Sequence, residues 1–448
     1  MSHQSSLIAK DIDEYLAQHE RKELLRFITC GSVDDGKSTL IGRLLYDSKS
    51  LMEDQIEALE RSADITGGGQ INLANLTDGL RAEREQGITI DVAYRYFATP
   101  KRKFILADTP GHEQYTRNMV TGASTAHAAI ILIDVTRVTT VDGKAELLAQ
   151  TKRHSAIVKL LELQHVIVAV NKMDLVDYSE ARFNEIRTAY DALATQLGLR
   201  DVRYVPVSAL RGDNIVHASE AMPWYQGEPL LALLEDLKVE DTAPAGDDAL
   251  RFPVQFVARQ DGSQADDFRG YMGRVEAGTV RVGQAVRVLP ANRETTVAEV
   301  LTPNGAADSA GPGETITVRL ADDVDISRGD TIVAAPTTAA NAAKKLHADL
   351  CWFDEHELNP ARKYVLKHTT TTVFARVSEV ERVLDVHTLS HETGRKQIAL
   401  NDIGTVNISL QKPIVCDAYG DNPATGAFIL VDEATHHTVA AGMIRAFS

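Results

Sequence analysis

Residues 31–38, GSVDDGKS, have the spacing of a phosphate-binding loop, G-x-x-x-x-G-K-S. An apolar run at 24–30 precedes them and predicts a buried strand, and 39–45 predicts the first turns of a helix. Glycine lets backbone N–H groups curl around an anion, and a helix N-terminus adds further donors. We therefore predict that Lys37 reaches the β- and γ-phosphates of a nucleoside triphosphate. The Ser38 hydroxyl is expected to bind Mg²⁺, a role compatible with capping the helix.

Three further residues are expected at the phosphate end of this site. Asp108 ends a predicted strand and begins the motif DTPG, so its carboxylate could hold Mg²⁺ through water. Gly111 ends that motif and has no side chain to keep its backbone N–H from a γ-phosphate. Thr89 follows a long polar stretch at 47–86, and its hydroxyl could complete the metal shell when a triphosphate is present. The alternative for Thr89 is an ordinary strand residue.

Two later motifs predict which base is bound. The motif NKMD at 171–174 follows an apolar strand, and the Asp174 carboxylate there could accept hydrogen bonds from guanine N1–H and the 2-amino group. Adenine offers neither donor, so this motif favours guanine. The motif SAL at 208–210 follows the last predicted strand and would place a backbone N–H near the guanine oxygen. Each motif is weak alone, but five in this order are highly specific for a GTP site.

The elements that would position these motifs alternate between strands and helices. Continuous apolar runs at 129–134 and 165–170 predict strands that are buried on both faces. The other expected elements are a hairpin at 91–97 and 103–107, helices at 144–163 and 180–197, a strand at 203–207 and a closing helix at 229–237. This alternation predicts a doubly wound α/β P-loop domain with a mostly parallel sheet.

The rest of the chain has a different pattern. Residues 238–250 are acidic and rich in Ala, Gly and Pro, and short alternating strands with glycine punctuation follow them. We predict two antiparallel β-barrel domains after the P-loop GTPase domain. The expected boundaries are an N-terminal helical extension at 1–22, a GTP-binding domain at 23–240, and barrels at 251–338 and 344–448.

Composition and charge exclude several classes of protein. The 448 residues carry 63 acidic and 47 basic side chains, a net charge of −16 that argues against broad nucleic-acid binding. The polar N-terminal stretch lacks the features of a signal peptide, and no apolar run is long enough to cross a bilayer. Three widely separated cysteines indicate a reducing compartment. These features predict a cytoplasmic location without membrane association.

Longer motifs resemble those of the translational-type GTPases. FRGYMGRVEAG at 268–278 resembles the start of that superfamily's second domain, and MPWYQG at 222–227 is similar to the elongation factor 1A branch. Elongation factors, however, typically carry His where this chain has Ser32 and Asp35. The chain resembles more closely the large, GTPase subunits of bacterial, heterodimeric sulfate adenylyltransferase. Three stretches carry this resemblance: the phosphate loop, DGLRAEREQGITID at 78–91 and DTPGHEQYTRNM at 108–119.

This resemblance implies both a role and a set of site residues. His112 resembles the family's residue that positions the attacking water, although a lone His is more often structural. The implied catalytic residues are Lys37, Thr89 and His112, and the implied metal ligands are Ser38, Thr89 and Asp108. The residues expected to bind GTP are Gly31, Ser32, Val33, Asp34, Asp35, Gly36, Lys37, Ser38, Thr39, Asp108, Gly111, Asn171, Lys172, Asp174, Ser208, Ala209 and Leu210.

The resemblance also implies a partner. In this family a small, ATP-binding catalytic subunit joins sulfate to ATP, giving adenosine 5′-phosphosulfate and pyrophosphate. GTP hydrolysis by the large subunit is coupled to that uphill step, with Mg²⁺ as the metal. This chain has no second G-x-x-x-x-G-K-[ST], so we expect no fused kinase domain. It also has no SGGxDS-type loop, so ATP chemistry is expected in the partner.

Two other functions compete with this interpretation. One is an elongation-factor-1A-like carrier of aminoacyl-tRNA, and the other is a GTP-dependent interaction switch with incidental turnover. A tRNA carrier needs a basic surface, which the net charge of −16 does not favour. Two features of the sequence do not support any of these functions strongly. His387 and His391 have metal-ligand spacing without an evident third ligand, and 138–146 has no functional account.

Overall fold

The computed structural model describes residues 22–49, 51, 57, 73, 89–141, 143–240, 244, 246–260, 268–335, 342–385 and 388–448. The chain divides after Glu240 into two compact units, with Thr388 and Leu389 grouped in the first. The predicted N-terminal helical extension and nearly all of the polar stretch at 47–86 lie outside the described residues. His387 of the weak metal hypothesis also lies outside them, and His391 begins a short strand.

The first unit is built on a six-stranded sheet in the order β2-β3-β1-β4-β7-β8. All neighbours are parallel except β2, which pairs antiparallel with β3 as the predicted hairpin requires. The strands of this unit are β1 Leu24–Cys30, β2 Ala93–Ala98, β3 Lys103–Asp108, β4 Ala128–Asp134, β5 Thr139–Val141, β6 Lys144–Glu146, β7 His165–Asn171 and β8 Val202–Pro206.

In the described part of the first unit, five α-helices connect these strands. They are α1 Lys37–Asp47, α2 Thr116–Ala123, α3 Ala149–Leu160, α4 Glu180–Leu197 and α5 Leu230–Asp236, and two 3₁₀ turns lie at Glu113–Tyr115 and Met173–Val176. Every residue of β4 is buried, because helices cover both faces of the sheet centre. The core beneath the sheet includes Phe97 and Phe104, whose rings stack with centroids 4.7 Å apart.

Helix α4 matches its predicted range of 180–197 because both of its ends are marked in the sequence. The Ser179 side chain accepts a hydrogen bond from the Arg182 backbone N–H at 3.3 Å, as an N-cap does. Gly198 ends the helix in the left-handed region, at φ +68°.

The predicted helix at 144–163 is wrong in its first part. Strands β5 and β6 form an antiparallel hairpin there, and α3 begins only at Ala149. Gly143, at φ +74°, lies in the hairpin turn, where a positive φ is easily adopted by glycine. The segment without a functional account is therefore a hairpin between β4 and α3.

The second unit contains two closed antiparallel barrels, and this confirms the predicted fold class. The first barrel has the strand order β12-β17-β9-β10-β16-β13-β14 and closes through β12–β13. The second has the order β19-β23-β24-β18-β22-β20-β21 and closes through β19–β20. The strands of the first barrel are β9 Arg251–Gln260, β10 Phe268–Arg274, β12 Ala285–Leu289, β13 Arg293–Thr302, β14 Gly305–Ala307, β16 Thr315–Leu320 and β17 Thr331–Ala334, with β11 Val280–Arg281 and β15 Ser309–Ala310 paired beside them.

The second barrel is made of longer strands. They are β18 Ala342–Trp352, β19 Tyr364–His368, β20 Thr371–Leu384, β21 His391–Thr393, β22 Ile403–Val415, β23 Ala427–Asp432 and β24 Thr438–Phe447, with the short helix α6 at Pro423–Gly426. Alternating strand residues fill one core per barrel, as the sequence pattern predicts. No helix in the described part of the chain is long and apolar enough to cross a bilayer.

A buried ion pair joins the two barrels within this unit. Arg251, at the start of β9, donates from Nη2 to Asp417 Oδ1 at 2.8 Å and from Nε to Oδ2 at 3.0 Å. Thr425 Oγ1 donates to the same carboxylate at 2.5 Å. Both charged side chains are almost fully enclosed, so their pairing must compensate for lost hydration.

Candidate nucleotide-binding site

The predicted phosphate loop lies between β1 and α1, with Gly36 as the residue before the helix. Gly36 has φ +92°, and a Cβ there would lie 2.5 Å from the Asn171 Nδ2 atom. Both the backbone angle and the close approach therefore require glycine at this position. The loop presents its backbone at the N-terminus of an eleven-residue helix, an arrangement that suits an anion.

A cavity of about 320 Å³ opens against this loop. It brings together residues from four separate stretches of the sequence. Its lining consists of Ser32, Val33, Asp34, Gly36, Lys37, Ser38, Thr39, Thr89, Gly111 and Lys172. The phosphate loop, Thr89, Gly111 and Lys172 thus meet at one place, at the carboxyl ends of the parallel strands, where ligands of open α/β sheets bind.

Lys37 and Gly111 are in close contact at the floor of this cavity. The Lys37 side chain is 7% exposed, and its Nζ lies 3.3 Å from the Gly31 carbonyl oxygen. A Cβ on Gly111 would lie 2.7 Å from Nζ and 2.5 Å from that carbonyl. Glycine at 111 is therefore needed for the ammonium group to reach the cavity.

The polar atoms of the lining fit a triphosphate. Among the described residues, the buried Oγ of Ser32 has no hydrogen-bond partner, and the Lys37 ammonium makes one long hydrogen bond, to the Gly31 carbonyl. A buried polar group without a partner is costly, so these atoms suit a ligand that supplies acceptor oxygens.

Two of the three predicted metal ligands, Ser38 and Thr89, line the cavity. Asp108 is buried beside it and accepts a hydrogen bond from Thr29 Oγ1 at 3.1 Å, but it does not contribute to the lining. No cluster of three His, Cys, Asp or Glu side chains suitable for a metal occurs among the described residues. Two hydroxyls with a nearby carboxylate fit Mg²⁺, which binds through few protein ligands together with phosphates and water.

His112 lies at the edge of this site and outside the cavity lining. It precedes the 3₁₀ turn Glu113–Tyr115, and its Nδ1 accepts a hydrogen bond from the Gln114 backbone N–H at 3.3 Å. A neutral imidazole whose Nδ1 is an acceptor carries its proton on Nε2. In this arrangement Nε2 is a hydrogen-bond donor.

The base end of the site is organised by Asn171. Its Nδ2 donates to the Asp35 carbonyl oxygen at 2.8 Å, and its Oδ1 accepts from the Ala209 backbone N–H at 3.0 Å. Ser208 Oγ donates to Asp174 Oδ1 at 2.6 Å, and this bond orients the carboxylate. The side chain of Leu210 is about half exposed beside them. The predicted base-binding motifs are therefore adjacent in space.

The residues at the end of β4 and directly after it were not predicted to belong to the site. Asp134 Oδ2 accepts from Lys172 Nζ at 2.7 Å, and Oδ1 accepts from Thr136. Burial alone would raise the pKa of Asp134, but the bonds from Lys172 and Thr136 hold it below its ordinary value. Arg137 Nη1 donates to the Val33 carbonyl and lies 3.6 Å from Asp35 Oδ1. The sequence did contain a signal for these residues. They are polar and lie at the end of a buried strand, at the edge of the sheet that carries the phosphate loop.

Family models match three parts of the chain. The elongation factor Tu GTP binding domain matches residues 22–239, elongation factor Tu domain 2 matches 271–333, and the GTP-eEF1A C-terminal domain-like model matches 345–445. The first unit is therefore a GTP-binding domain of the elongation factor Tu type.

Curated relatives match the chain over nearly its whole length. Sulfate adenylyltransferase subunit 1 of Teredinibacter turnerae is 51% identical, with 99% of this chain and 92% of the relative covered. The protein of that name from Chromobacterium violaceum is 52% identical, with 100% and 91% covered. Bifunctional enzyme NodQ of Rhizobium meliloti is 49% identical, with 99% and 67% covered. The chain belongs to the sulfate adenylyltransferase subunit 1 family.

Proposed function

We propose that this chain is the GTP-hydrolysing subunit of a sulfate adenylyltransferase. A partner subunit would make adenosine 5′-phosphosulfate from ATP and sulfate, and GTP hydrolysis here would be coupled to that synthesis. One observation carries the proposal: Asn171 hydrogen-bonds both to the phosphate loop and to the loop of the guanine-type motif. The chain that contains this site is about half identical to sulfate adenylyltransferase subunits. The ATP chemistry belongs to the partner, and both subunits act in the cytoplasm.

Each part of the site has a role in this function. The phosphate-loop N–H groups and Lys37 bind the β- and γ-phosphates and neutralise charge that develops during transfer. Gly111 admits the γ-phosphate close to the backbone. Asp174 accepts the guanine donors, with its carboxylate oriented by Ser208. Bound GTP supplies the phosphoanhydride that water cleaves.

Magnesium would be held by the hydroxyls of Ser38 and Thr89, with Asp108 acting through water. Thr89 follows the long polar stretch, and its contact with Mg²⁺ would form only when a triphosphate is bound. His112 acts by positioning the attacking water. Its Nε2–H donates to the water oxygen, because Nδ1 is occupied by the Gln114 N–H. Phosphoryl transfer needs positioning and charge stabilisation more than proton abstraction.

The test of this function is a rate measurement on the complete enzyme. We would purify the chain with its ATP-binding partner and measure phosphate release from GTP with and without ATP and sulfate. The rate is expected to rise when the partner and both of its substrates are present. A rate that none of these additions changes would contradict the proposal. Salt-sensitive binding of aminoacyl-tRNA would instead favour the carrier function.

A pair of lysine variants links the measured rate to this site. Lys37→Ala is expected to lose GTP turnover, since the phosphate charge is no longer neutralised. Lys144→Ala changes an exposed hairpin lysine and serves as the matched control. Normal turnover by the Lys37 variant would place hydrolysis elsewhere.

A further inference from the structure

We propose that Arg137 is a positioning residue for nucleotide binding, which holds the phosphate loop in shape through Val33 and Asp35. These three residues are called the Arg137 bridge below. The phosphate-loop motif at 31–38 does not include this arginine, which follows β4. The inference rests on the proposed GTP-binding function. It adds Arg137 to the residues that support nucleotide binding, although Arg137 lies 104 positions after Val33 of the loop.

The Asp35 side chain is buried within the phosphate loop. It is 1% exposed and does not line the phosphate cavity. Its Oδ2 accepts from the Ser32 backbone N–H at 2.6 Å, and its own N–H donates to the Ser32 carbonyl at 3.2 Å. These two bonds close the loop on itself. These contacts indicate that Asp35 shapes the loop from within.

The loop needs such support because its backbone is unusual. Asp34 has φ +70° and Gly36 has φ +92°, so left-handed residues lie on both sides of Asp35. A non-glycine residue in this region is unfavourable and persists only when its surroundings hold it. The side chain of Asp34 is exposed, so the support must come from Asp35 and its partners.

Arg137 contacts the loop at two points. Its Nη1 donates to the carbonyl of Val33, and the same nitrogen lies 3.6 Å from Asp35 Oδ1. That carboxylate oxygen is buried and has no hydrogen-bond partner in the described part of the chain. The guanidinium thus compensates the charge that Asp35 brings into the interior and fixes the carbonyl at the top of the loop.

The turn that carries Arg137 is itself fixed. The Arg137 backbone N–H donates to the Asp134 carbonyl at 3.1 Å, and the Thr136 N–H donates to Asp134 Oδ1 at 2.8 Å. Asp134 also pairs with Lys172, a member of the cavity lining. The bridge therefore attaches the loop to a rigid turn at the end of β4.

Burial supports this role for the bridge. Desolvation raises the pKa of Asp35 to about 6, and the Ser32 N–H, Lys37 and Arg137 counteract that rise while Asp134 adds to it. A charge held in so unfavourable a position is consistent with a functional placement.

The first test measures binding of GDP and GTP to the full chain with fluorescent nucleotide analogues. Arg137→Ala is expected to weaken both about tenfold, because the bridge shapes the loop that both nucleotides use. The ratio of GTP to GDP affinity and the preference for guanine over xanthine are expected to stay unchanged. Arg137→Lys should recover part of the loss. Arg187→Ala, an exposed arginine of α4, is the control and should bind normally.

A double-mutant cycle tests the pairing itself. Asp35→Asn keeps an acceptor for the Ser32 N–H but removes the charge that faces Arg137. The double variant is expected to bind no more weakly than Arg137→Ala alone. Two results would overturn the bridge and leave the proposed function intact. One is normal GDP binding by a folded Arg137→Ala protein. The other is a double variant whose fold-loss of affinity equals the product of the two single losses. A wild-type chain that does not bind guanine nucleotides would overturn both.

Discussion

In the proposed function, the Asp174 carboxylate would discriminate between bases. Ser208 Oγ fixes its Oδ1 at 2.6 Å, so the group is oriented before a nucleotide arrives. A carboxylate accepts two hydrogen bonds from guanine, whereas an amide presents one acceptor and one donor. On this proposal, base preference would depend on one atom of one side chain, the atom that differs between a carboxylate and an amide.

Asp174→Asn is expected to weaken GTP binding about a hundredfold, from the loss of charge-assisted bonds that are worth roughly 1.5–3 kcal/mol each. Xanthosine triphosphate should gain affinity, because the new amide can donate to the xanthine carbonyl. Competition binding with both nucleotides measures the change. Asp177→Asn alters a nearby exposed carboxylate and should leave the preference as it is. An unchanged preference in the Asp174 variant would remove the guanine assignment.

Asp35 predicts a pH dependence of stability in the nucleotide-free chain. Burial raises its pKa from 3.8 to about 6, so the folded chain holds this proton more tightly than the unfolded chain. Stability is therefore expected to fall as the pH rises from about 4 to 6, by about 3 kcal/mol at 1.36 kcal/mol per unit. Asp35→Asn should not show this step. Urea unfolding of both proteins from pH 4 to pH 7 measures the difference.

Asp34→Asn is the matched control for that experiment, because it changes the exposed neighbour in the same loop. Asparagine tolerates the positive φ of that position. If the wild type and Asp35→Asn followed parallel curves across this pH range, the burial argument would be wrong.

The same residues show what can be predicted from a sequence. The phosphate loop was predictable because strand, glycine-rich turn and helix follow one another without interruption. Arg137 was not, because its contacts with Val33 and Asp35 join segments about a hundred residues apart. The roles given to the other site residues stay predictions until they are tested.

At the scale of elements, local signals decided which predictions succeeded. Helix α4 has a serine N-cap and a C-terminal glycine, and its predicted range agrees with the structure. The hairpin of β5 and β6 was predicted in part as helix, because its short strands left too few residues for alternation to be recognised. The Asp-Gly pair at 142–143 of the sequence, next to two threonines and a valine, was the signal that could have predicted it.

Arg182 of α4 holds this hairpin against the domain. Its guanidinium donates to the Val138 carbonyl, to Thr140 Oγ1 at 3.3 Å and to the Val135 carbonyl at 3.4 Å. Arg182→Ala is expected to speed amide hydrogen exchange in 139–146, because the hairpin opens locally. Global stability should change by only about 1 kcal/mol. Exchange measured by mass spectrometry, with Arg187→Ala as control, tests this, and equal protection in both variants would contradict it.

At the scale of the whole molecule, the buried pair of Arg251 and Asp417 is one of the contacts that join the two barrels. Breaking such a pair leaves one charge buried without compensation, which costs about 3–5 kcal/mol. Arg251→Ala is therefore expected to lower the urea midpoint of the second unit strongly. Arg274→Ala removes the exposed ion pair with Glu276 from the same barrel and should cost less than about 1 kcal/mol. Circular dichroism is used to follow unfolding in urea. Similar losses of stability in the two variants would contradict the larger contribution expected of the buried pair.

The amide of Asn171 has a consequence for how a nucleotide is held as a whole. It contacts the loop proposed to bind the phosphates and the loop proposed to bind the base, so it holds the two loops in a fixed relation. The two ends of GTP would then behave as the arms of a chelate, and the second arm would bind at a high effective concentration. Guanosine or pyrophosphate alone would make only part of these contacts. We therefore expect the intact nucleotide to bind far more tightly than its fragments suggest.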